Sequence, residues 1–438
     1  MSVRYDEHYV RAVVQMGDTS SVFTTQTIFT TNKIKLVDKG TRVNSALFER
    51  LVSHKLIPKL DQCLAVEDGV TPTDLMEYAR VLLDNDPNLA VLGNDQILKK
   101  RLLRTFAKIT LLPPMVIKLT VAQKRRPEVF DHSIRVALIA LYLSKKTLFM
   151  TEKDLVTLAT AAVFHDIGIL HVSPELLIPG RRLKQAERHH LYAHPITGFL
   201  ILREFSDYHP EISRAVLEHH ERLDGSGYPR AIKEAEISTH AQILMLAEVA
   251  NTVFERNSKT LSLAKLSVVL GLNHKKFNTV LANSLLSILG DIDKEMVANN
   301  AESYPHSLMT SLERHPEEIA RIFQDWYESS QLFQQKSSGF QPGNLVKIID
   351  QRIADLEKSL SYAGLQVSNL DSLIESMQDD PEALSELGIL IDEVRWQLAE
   401  IIYETHRRIR ESSQDVVEEQ SVVGEWLERS KEKLQLID

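Results

Sequence analysis

The sequence predicts a mainly α-helical chain with a small N-terminal α+β segment, an all-helical middle and a C-terminal helical hairpin or bundle. Three observations carry this expectation. Val, Thr, Ile and Phe concentrate in SVFTTQTIFTTNKIKLV near the start, a strand composition. Apolar residues recur at helical spacing through the middle. From Ile349 onward they follow a 4-3 repeat, the mark of a helical seam. At 438 residues the chain is too long for one ordinary domain. With 43% apolar and 25% charged residues it is neither collagen-like, disordered nor a disulfide scaffold.

Residues 1–119 read as an N-terminal regulatory or packing domain without a chemical motif. Its strands close at Asp38-Lys39-Gly40, a turn signal. Helical patterns run from Ser45 to about Ile117, and Thr71-Pro72-Thr73-Asp74 marks a helix start. Residues 120–300 read as helices separated by Gly/Pro loops. Val136, Ile139, Ala140 and Leu143 share one face, as do Leu155, Leu158, Ala159 and Ala162; Pro179-Gly180 and the run from Asp224 to Pro229 interrupt the pattern. Residues 301–344 form a connecting helical segment.

Residues 345–438 read as an acidic heptad tail. Its first seam is Ile349, Ile353, Leu356, Leu360, Ala363, Val367, Leu370, Ile374 and Met377; Asp379-Asp380-Pro381 starts a second helix. Leu384, Leu387, Ile391, Val394, Leu398, Ile401 and Thr405 continue the seam, so an antiparallel hairpin is expected, with a last helix near Val423, Trp426 and Leu427 packing on it. The only tryptophans, Trp326, Trp396 and Trp426, read as bundle packing. The tail suggests a homo-oligomer joined through these helices.

The net charge of −9 is unevenly placed: residues 345–438 carry 10 basic and 21 acidic side chains, so the remaining chain, with 41 and 39, is close to neutral. The acidity belongs to a solvated helical face and does not argue against an anionic substrate. The single cysteine, Cys63, excludes an intramolecular disulfide and a Cys-rich zinc site. The longest apolar run, Leu155 to Phe164, falls short of the roughly 18 to 20 residues of a membrane span. Asp6 and Glu7 stand where a signal peptide is apolar. A cytoplasmic location without membrane partner is expected.

Ten of the sixteen histidines lie between His132 and His240. Glu128 and His132, four apart, share a helix face from which a carboxylate and an imidazole can meet one metal. His165-Asp166 sit at a helix end, where adjacent side chains can diverge towards two ions. His194 lies on the next helix, His219-His220 close another before ERLDGSGYP, and Glu248 follows Ile243, Leu244 and Leu246 on an apolar helix. Polar residues at the single polar points of apolar helices point to ligation. His189, His190, His209 and His240 read as solvated or loop residues, and His171 could face the cavity of His165-Asp166. Leu191 stands where a zincin helix has Glu, which excludes that class; no phosphate-binding glycine motif or nucleophile elbow is present.

The string His219-His220-Glu221-Arg222-Leu223-Asp224-Gly225-Ser226-Gly227-Tyr228-Pro229 resembles the HHExxDGxGYP signature of HD-GYP phosphodiesterases, a branch of the HD metal-dependent phosphohydrolases. Glu128, His132-Ser133 with Arg135-Val136-Ala137, His165-Asp166-Ile167-Gly168, Pro179-Gly180 before His194 and Gly198, and Ala241 to Glu248 occur in the family's order. The resemblance covers residues 120 to 260.

It implies an all-helical HD domain that binds two or three divalent ions and hydrolyses cyclic di-GMP to pGpG or GMP, with a GGDEF-type or other signalling protein as partner. A His/carboxylate set without thiolates suits Fe or Mn, with Ni or Zn as further possibilities. By resemblance Asp166 bridges metals and, with His165, forms the catalytic pair; His165, His194, His219 and His220 are ligands, Glu128 and His132 complete a third site, and Glu248 stands in for the aspartate of the family's VAD motif. Arg181, Arg182 and Arg230 are candidates for phosphate contact. Gly225, Gly227 and Tyr228 belong to the substrate side of a loop that Gly225, Gly227 and Pro229 shape.

Besides Glu248 in place of aspartate, the chain departs from the family elsewhere. Ile169 replaces the lysine of HDIGK, Asn251 replaces a second aspartate, and Glu255-Arg256-Asn257-Ser258 replaces RPYR. A missing cation withdraws charge stabilisation or leaving-group protonation, an effect of about 10² to 10⁴-fold. Two functions follow: a metal-dependent, slow cyclic di-GMP phosphodiesterase, or a catalytically degenerate domain acting as a cyclic-nucleotide receptor or partner-binding module.

Overall fold

The computed structural model describes residues 6–147, 150–178, 181, 183–256, 259–296, 306–336, 344–362, 365, 370–377, 381–411 and 417–434. By packing, the chain divides into two compact units, Met1–Lys259 with Lys275–Leu289, and Thr260–His274 with Gly290–Asp438.

The first unit opens with α1 (Glu7–Thr19), to which the sequence reading assigned no element. Tyr9, Val10, Val13, Val14 and Met16 are its buried stripe, a spacing that puts them on one helix face. Five short strands follow: β1 (Val22–Thr24), β2 (Ile28–Thr30), β3 (Lys35–Val37) and, after α2 (Phe48–Val52), β4 (Leu56–Ile57) and β5 (Leu64–Val66). β1 pairs antiparallel with β5, and β2 lies between β3 and β4. The expected turn is present, with Gly40 at φ +80°, a backbone region that favours glycine.

Helices then take over: α3 (Pro72–Asn85), α4 (Gln96–Ala107), α5 (Pro113–Arg125), α6 (Pro127–Thr147), α7 (Glu152–Phe164), α8 (Gln185–Tyr192), α9 (His194–Leu202), α10 (Pro210–Glu218) and α11 (Thr239–Arg256). Thr71 and Asp74 close the expected start of α3 as a reciprocal cap, and Thr151 with Asp154 does the same for α7. α6 packs on α5, α7 and α11; α10 packs on α7, α9 and α11. From Ile134 to Leu143 α6 is buried almost all round apart from Arg135, as is α7 from Leu155 to Phe164 except at Val156, and α11 from Ile243 to Ala247. Such helices run through a core.

One expectation needs correction here. Glu152–His171, twenty residues with mean hydropathy 1.2, is long and apolar enough to cross a membrane, contrary to the reading that no run approaches that length. Its window is 78% buried in this fold, because α7 is a core helix and the chain turns after Phe164 into a 3₁₀ segment, Ile167–His171.

The remaining helices are α12 (Lys259–Leu272), α13 (Thr279–Met296), α14 (His306–Lys336), α15 (Asn344–Tyr362), α16 (Leu370–Ser376), α17 (Pro381–Glu411) and α18 (Val417–Lys433). In the second unit α14, α15, α17 and α18 share one apolar core. The heptad positions Ile349, Ile353, Leu356 and Leu360 are buried in it, as are Leu384, Leu387, Ile391, Val394, Leu398 and Ile401. The seam is thus satisfied within the chain. Ala363, Val367, Asp379 and Asp380 lie outside the described residues. Ile319, Ile322, Phe323 and Trp326 of α14, the segment read as a connector, enter the same core.

Trp326 and Trp426 meet edge to face at 4.8 Å between centroids, the arrangement aromatic quadrupoles prefer. Trp396 does not join them and is 54% exposed. It lies two residues from both Val394 and Leu398, and two helical steps of about 100° place it on the opposite face.

Candidate metal centre

The site is assembled from five helices of the first unit. His165 caps the C-terminal end of α7, and Asp166 caps the start of the 3₁₀ turn Ile167–His171. Gly168 lets that turn lie on α9: a Cβ there would fall 2.1 Å from the carbonyl oxygen of His194. His194 is the first residue of α9. His219-His220 follow the last turn of α10, His132 lies on α6 and Glu248 on α11. The loop after His220 is held from inside, because buried Glu221 accepts from the backbone N–H groups of Arg230 (2.8 Å) and Ile232 (3.2 Å). Gly227 is required there, since a Cβ would meet the Arg222 nitrogen at 2.3 Å.

Among the described residues two groups could hold a metal ion: Asp166, His194, His219 and His220, and His132, His165 and Glu248. Asp166 faces both. Its Oδ1 is 3.2 Å from His194 Nε2 and 3.8 Å from His219 Nε2, and its Oδ2 is 3.5 Å from His165 Nε2 and 3.9 Å from His132 Nε2. Glu248 Oε2 lies 2.9 Å from His132 Nε2 and 3.3 Å from His165 Nε2.

The donor set fits cations. His165, His194 and His219 each place Nδ1 against the carbonyl three residues earlier, on Ala162 (2.7 Å), Leu191 (2.7 Å) and Val216 (2.6 Å). A carbonyl only accepts, so each ring carries a proton on Nδ1 and turns Nε2 inward as the atom free to ligate. The Nε2 atoms of His194 and His219 are then 3.3 Å apart with no proton between them, and His165 Nε2 is buried without a hydrogen-bond partner. Converging lone pairs beside two carboxylates call for positive charge.

The electrostatics separate two rings that the carboxylates favour as cations from two that burial keeps neutral. Burial opposes charge on His132 and His165, yet the carboxylates of Glu248 and Asp166 outweigh it and hold both rings above the ordinary histidine range. Burial also opposes ionisation of Glu248 and Asp166, and the imidazoles reverse it, holding both below the usual carboxylate range. Burial, with His165 and His194 nearby, pushes His219 down to about 3, and burial with His219 depresses His220. Both rings are neutral near pH 7, as ligation requires.

Glu128 is not brought into either group. Its carboxylate is 60% exposed and accepts from Arg126 Nε at 2.7 Å. A first-turn acid is favoured by the helix dipole, and the guanidinium two residues earlier captures it. His171 also faces elsewhere: Nδ1 meets Asp6 at 2.7 Å and the ring stacks on Tyr9. Arg230 spends its guanidinium on Glu218 (2.7 Å), and Arg181 bonds Glu187 (2.6 Å), so neither is held towards the centre as a phosphate contact. Arg182 lies outside the described residues. Gly225 holds the loop turn at φ +81°. Tyr228 stacks between His220 (4.7 Å) and Tyr192 (4.3 Å). Ile169, at the position of the family lysine, is 4% exposed.

Three residues named in the sequence only as part of the signature or as departures from it take a place around the centre. Arg222 is a half-buried cation whose field reaches Tyr228 and Glu248, and desolvation lowers its pKa. Asn251 and Glu255 contact the outer nitrogen of His132; lying three and seven residues after Glu248 on α11, they share its helix face, which was the available signal.

Residues 118–265 match a family model described as HD domain. The 3'3'-cGAMP-specific phosphodiesterase 3 of Vibrio cholerae is 33% identical over 129 residues, 30% of this chain and 28% of that protein. The cyclic di-GMP phosphodiesterase of Thermotoga maritima is 29% identical over 136 residues, 31% of this chain and 37% of that protein. The 3'3'-cGAMP-specific phosphodiesterase 1 of Vibrio cholerae is 32% identical over 120 residues, 27% of each chain. The matches thus span about a third of the length of these curated relatives. Residues 118–265, which carry every ligand of both groups and the HHExxDGxGYP loop, are an HD domain of the HD-GYP type.

Proposed function

We propose that this chain is a metal-dependent phosphodiesterase acting on a cyclic dinucleotide, with cyclic di-GMP as substrate and pGpG or GMP as product. The observation that carries the proposal is Asp166, one oxygen towards each of two groups of imidazoles and carboxylates that could hold an ion. A nitrogen and oxygen set without thiolates suits Fe or Mn. When bound, such ions supply Lewis acidity to phosphoryl oxygens and make water a nucleophile near neutral pH.

The chain's own residues prepare this chemistry. Asp166 and Glu248 provide the negative charge, and His165, His194, His219 and His220 the imidazole donors. Apolar walls of α6, α7 and α11 keep the ligands in a low dielectric, where charge interactions strengthen. Arg222 is a half-buried cation on the loop side, and the stack of His220, Tyr228 and Tyr192 stiffens that loop.

A second reading has its own support: binding of the nucleotide without turnover. Ile169 is packed in the core and Arg230 is engaged by Glu218, so no lysine or free arginine at these positions assists the leaving group. The relatives named for 3'3'-cGAMP make that dinucleotide a competing substrate.

The test is to purify the full chain without chelators, measure bound metal, and incubate it with cyclic di-GMP, 3'3'-cGAMP and bis-p-nitrophenyl phosphate beside Asp166→Ala. Turnover of a cyclic dinucleotide that Asp166→Ala abolishes is expected. Metal with tight nucleotide binding and no turnover would establish the receptor reading, and absence of metal would sink both the enzyme and the centre.

A further inference from the structure

His132 differs from the histidines that lean on helix carbonyls. Its Nδ1 faces two side chains of α11, Glu255 Oε1 at 3.3 Å and Asn251 Nδ2 at 2.9 Å, and Asn251 Nδ2 also donates to Glu255 Oε1 at 2.8 Å. The two neighbours ask opposite things of the ring. If the Asn251 amide donates to Nδ1, the imidazole proton sits on Nε2 and points at Glu248, 2.9 Å away, which leaves no lone pair for an ion. If Nδ1–H donates to Glu255, Nε2 is bare and faces Glu248 and Asp166.

We infer that Glu255 is the positioning residue that holds His132 in its metal-binding tautomer, and that Asn251 works against it. The inference rests on the metal-centre reading and adds what decides the strength of one half of it. A carboxylate is a charged acceptor and makes the stronger bond to an imidazole N–H. Glu248 and Glu255 lie seven residues apart on one helix face, so α11 grips both nitrogens of a ring that belongs to α6. Asn251 Oδ1 is buried without a partner, so the amide's accepting atom is not the one turned to the ring. His194 and His219, in contrast, are set by backbone carbonyls that cannot donate. The group of His132, His165 and Glu248 therefore holds its ion less tightly than the group of Asp166, His194, His219 and His220.

The experiment strips the full chain of metal and titrates it with Mn²⁺ alone, reading free Mn²⁺ by electron paramagnetic resonance. Wild type should show a tight and a weaker class of ion. Glu255→Ala and Glu255→Gln should weaken the weaker class by about 10 to 100-fold, the range for lost outer-shell partners, and leave the tight class and the melting temperature in chelator unchanged. Asn251→Asp places a carboxylate at the same nitrogen; added to Glu255→Ala it should restore most of the affinity, and alone it should tighten the weaker class. Unchanged affinity in Glu255→Gln, or no rescue by Asn251→Asp, overturns the inference while the metal centre stands. A wild-type chain that binds no Mn²⁺ overturns the centre and the inference with it.

Discussion

Substituting Gly168 by alanine tests how closely the backbone of the site is built. Gly168 sits two residues after Asp166 in the 3₁₀ turn, and an added Cβ would lie 2.1 Å from His194 O, 2.9 Å from His194 C and 3.1 Å from Gly198 N. These are backbone atoms and cannot rotate away. Contacts of a Cβ under 3.0 Å are essentially never found, so the turn and α9 must part by about 0.9 Å. The same two segments carry Asp166 and His194, whose Oδ1 to Nε2 distance is 3.2 Å. Relief of the clash therefore opens the shared carboxylate away from its ligand.

Overpacking of this kind costs about 1 to 3 kcal/mol, and a misplacement of about 1 Å lowers turnover on the order of 100-fold. Urea unfolding of chelator-treated protein, followed by circular dichroism, reads the packing cost free of metal linkage. Mn²⁺ titration then reads the site. Gly424→Ala is the control: an added Cβ within α18 meets nothing within 4 Å, and removing a mid-helix glycine should stabilise by up to about 1 kcal/mol. A Gly168→Ala protein with wild-type urea midpoint and wild-type Mn²⁺ affinity would refute the reasoning.

Three further outcomes are expected. Trp426→Ala should cost about 3 to 5 kcal/mol by emptying the bundle core, whereas Trp396→Ala should stay within about 0.5 kcal/mol; equal shifts in thermal melts would contradict the faces assigned to them. Burial and Lys118, against Asp6, lower the pKa of His171, so below about pH 6.5 the unfolded chain binds a proton that the fold refuses. Stability from this group is complete above that pH and falls as the solution is acidified, with a slope of at most about 1.4 kcal/mol per pH unit; melts at pH 5 to 8 should show that slope reduced in His171→Gln. Cys63 is fully buried, and burial with Asp61 pushes its thiol up to about 12, so iodoacetamide at pH 8 should label it only in denaturant; native labelling at the rate of a free thiol would contradict this.

Much of the architecture is legible in local pattern. Thr71-Pro72-Thr73-Asp74 starts α3 as its residue types require, and the heptad spacing from Ile349 to Ile401 marks the buried face of the tail. Trp396 was read as bundle packing with the other two tryptophans, and its 54% exposure corrects that reading: two residues from Val394, it falls off the seam. Glu128 was read from its spacing to His132 and from the resemblance, and neither takes in that Arg126 reaches the same carboxylate.

By itself the sequence determined the inventory of the centre: which histidines and acids interrupt apolar helices, and which loop carries the HHExxDGxGYP string. Only the tertiary structure decided which of them meet. His132 and Glu248 stand 116 residues apart and touch because α6, α7, α10 and α11 cross at one place, a relation set by packing and absent from any local period. The same crossings bring Asp166 between two groups, dismiss Glu128 and recruit Glu255. Side-chain chemistry is written residue by residue, but a ligand cage is a set of distances between helices, and those depend on how whole faces pack.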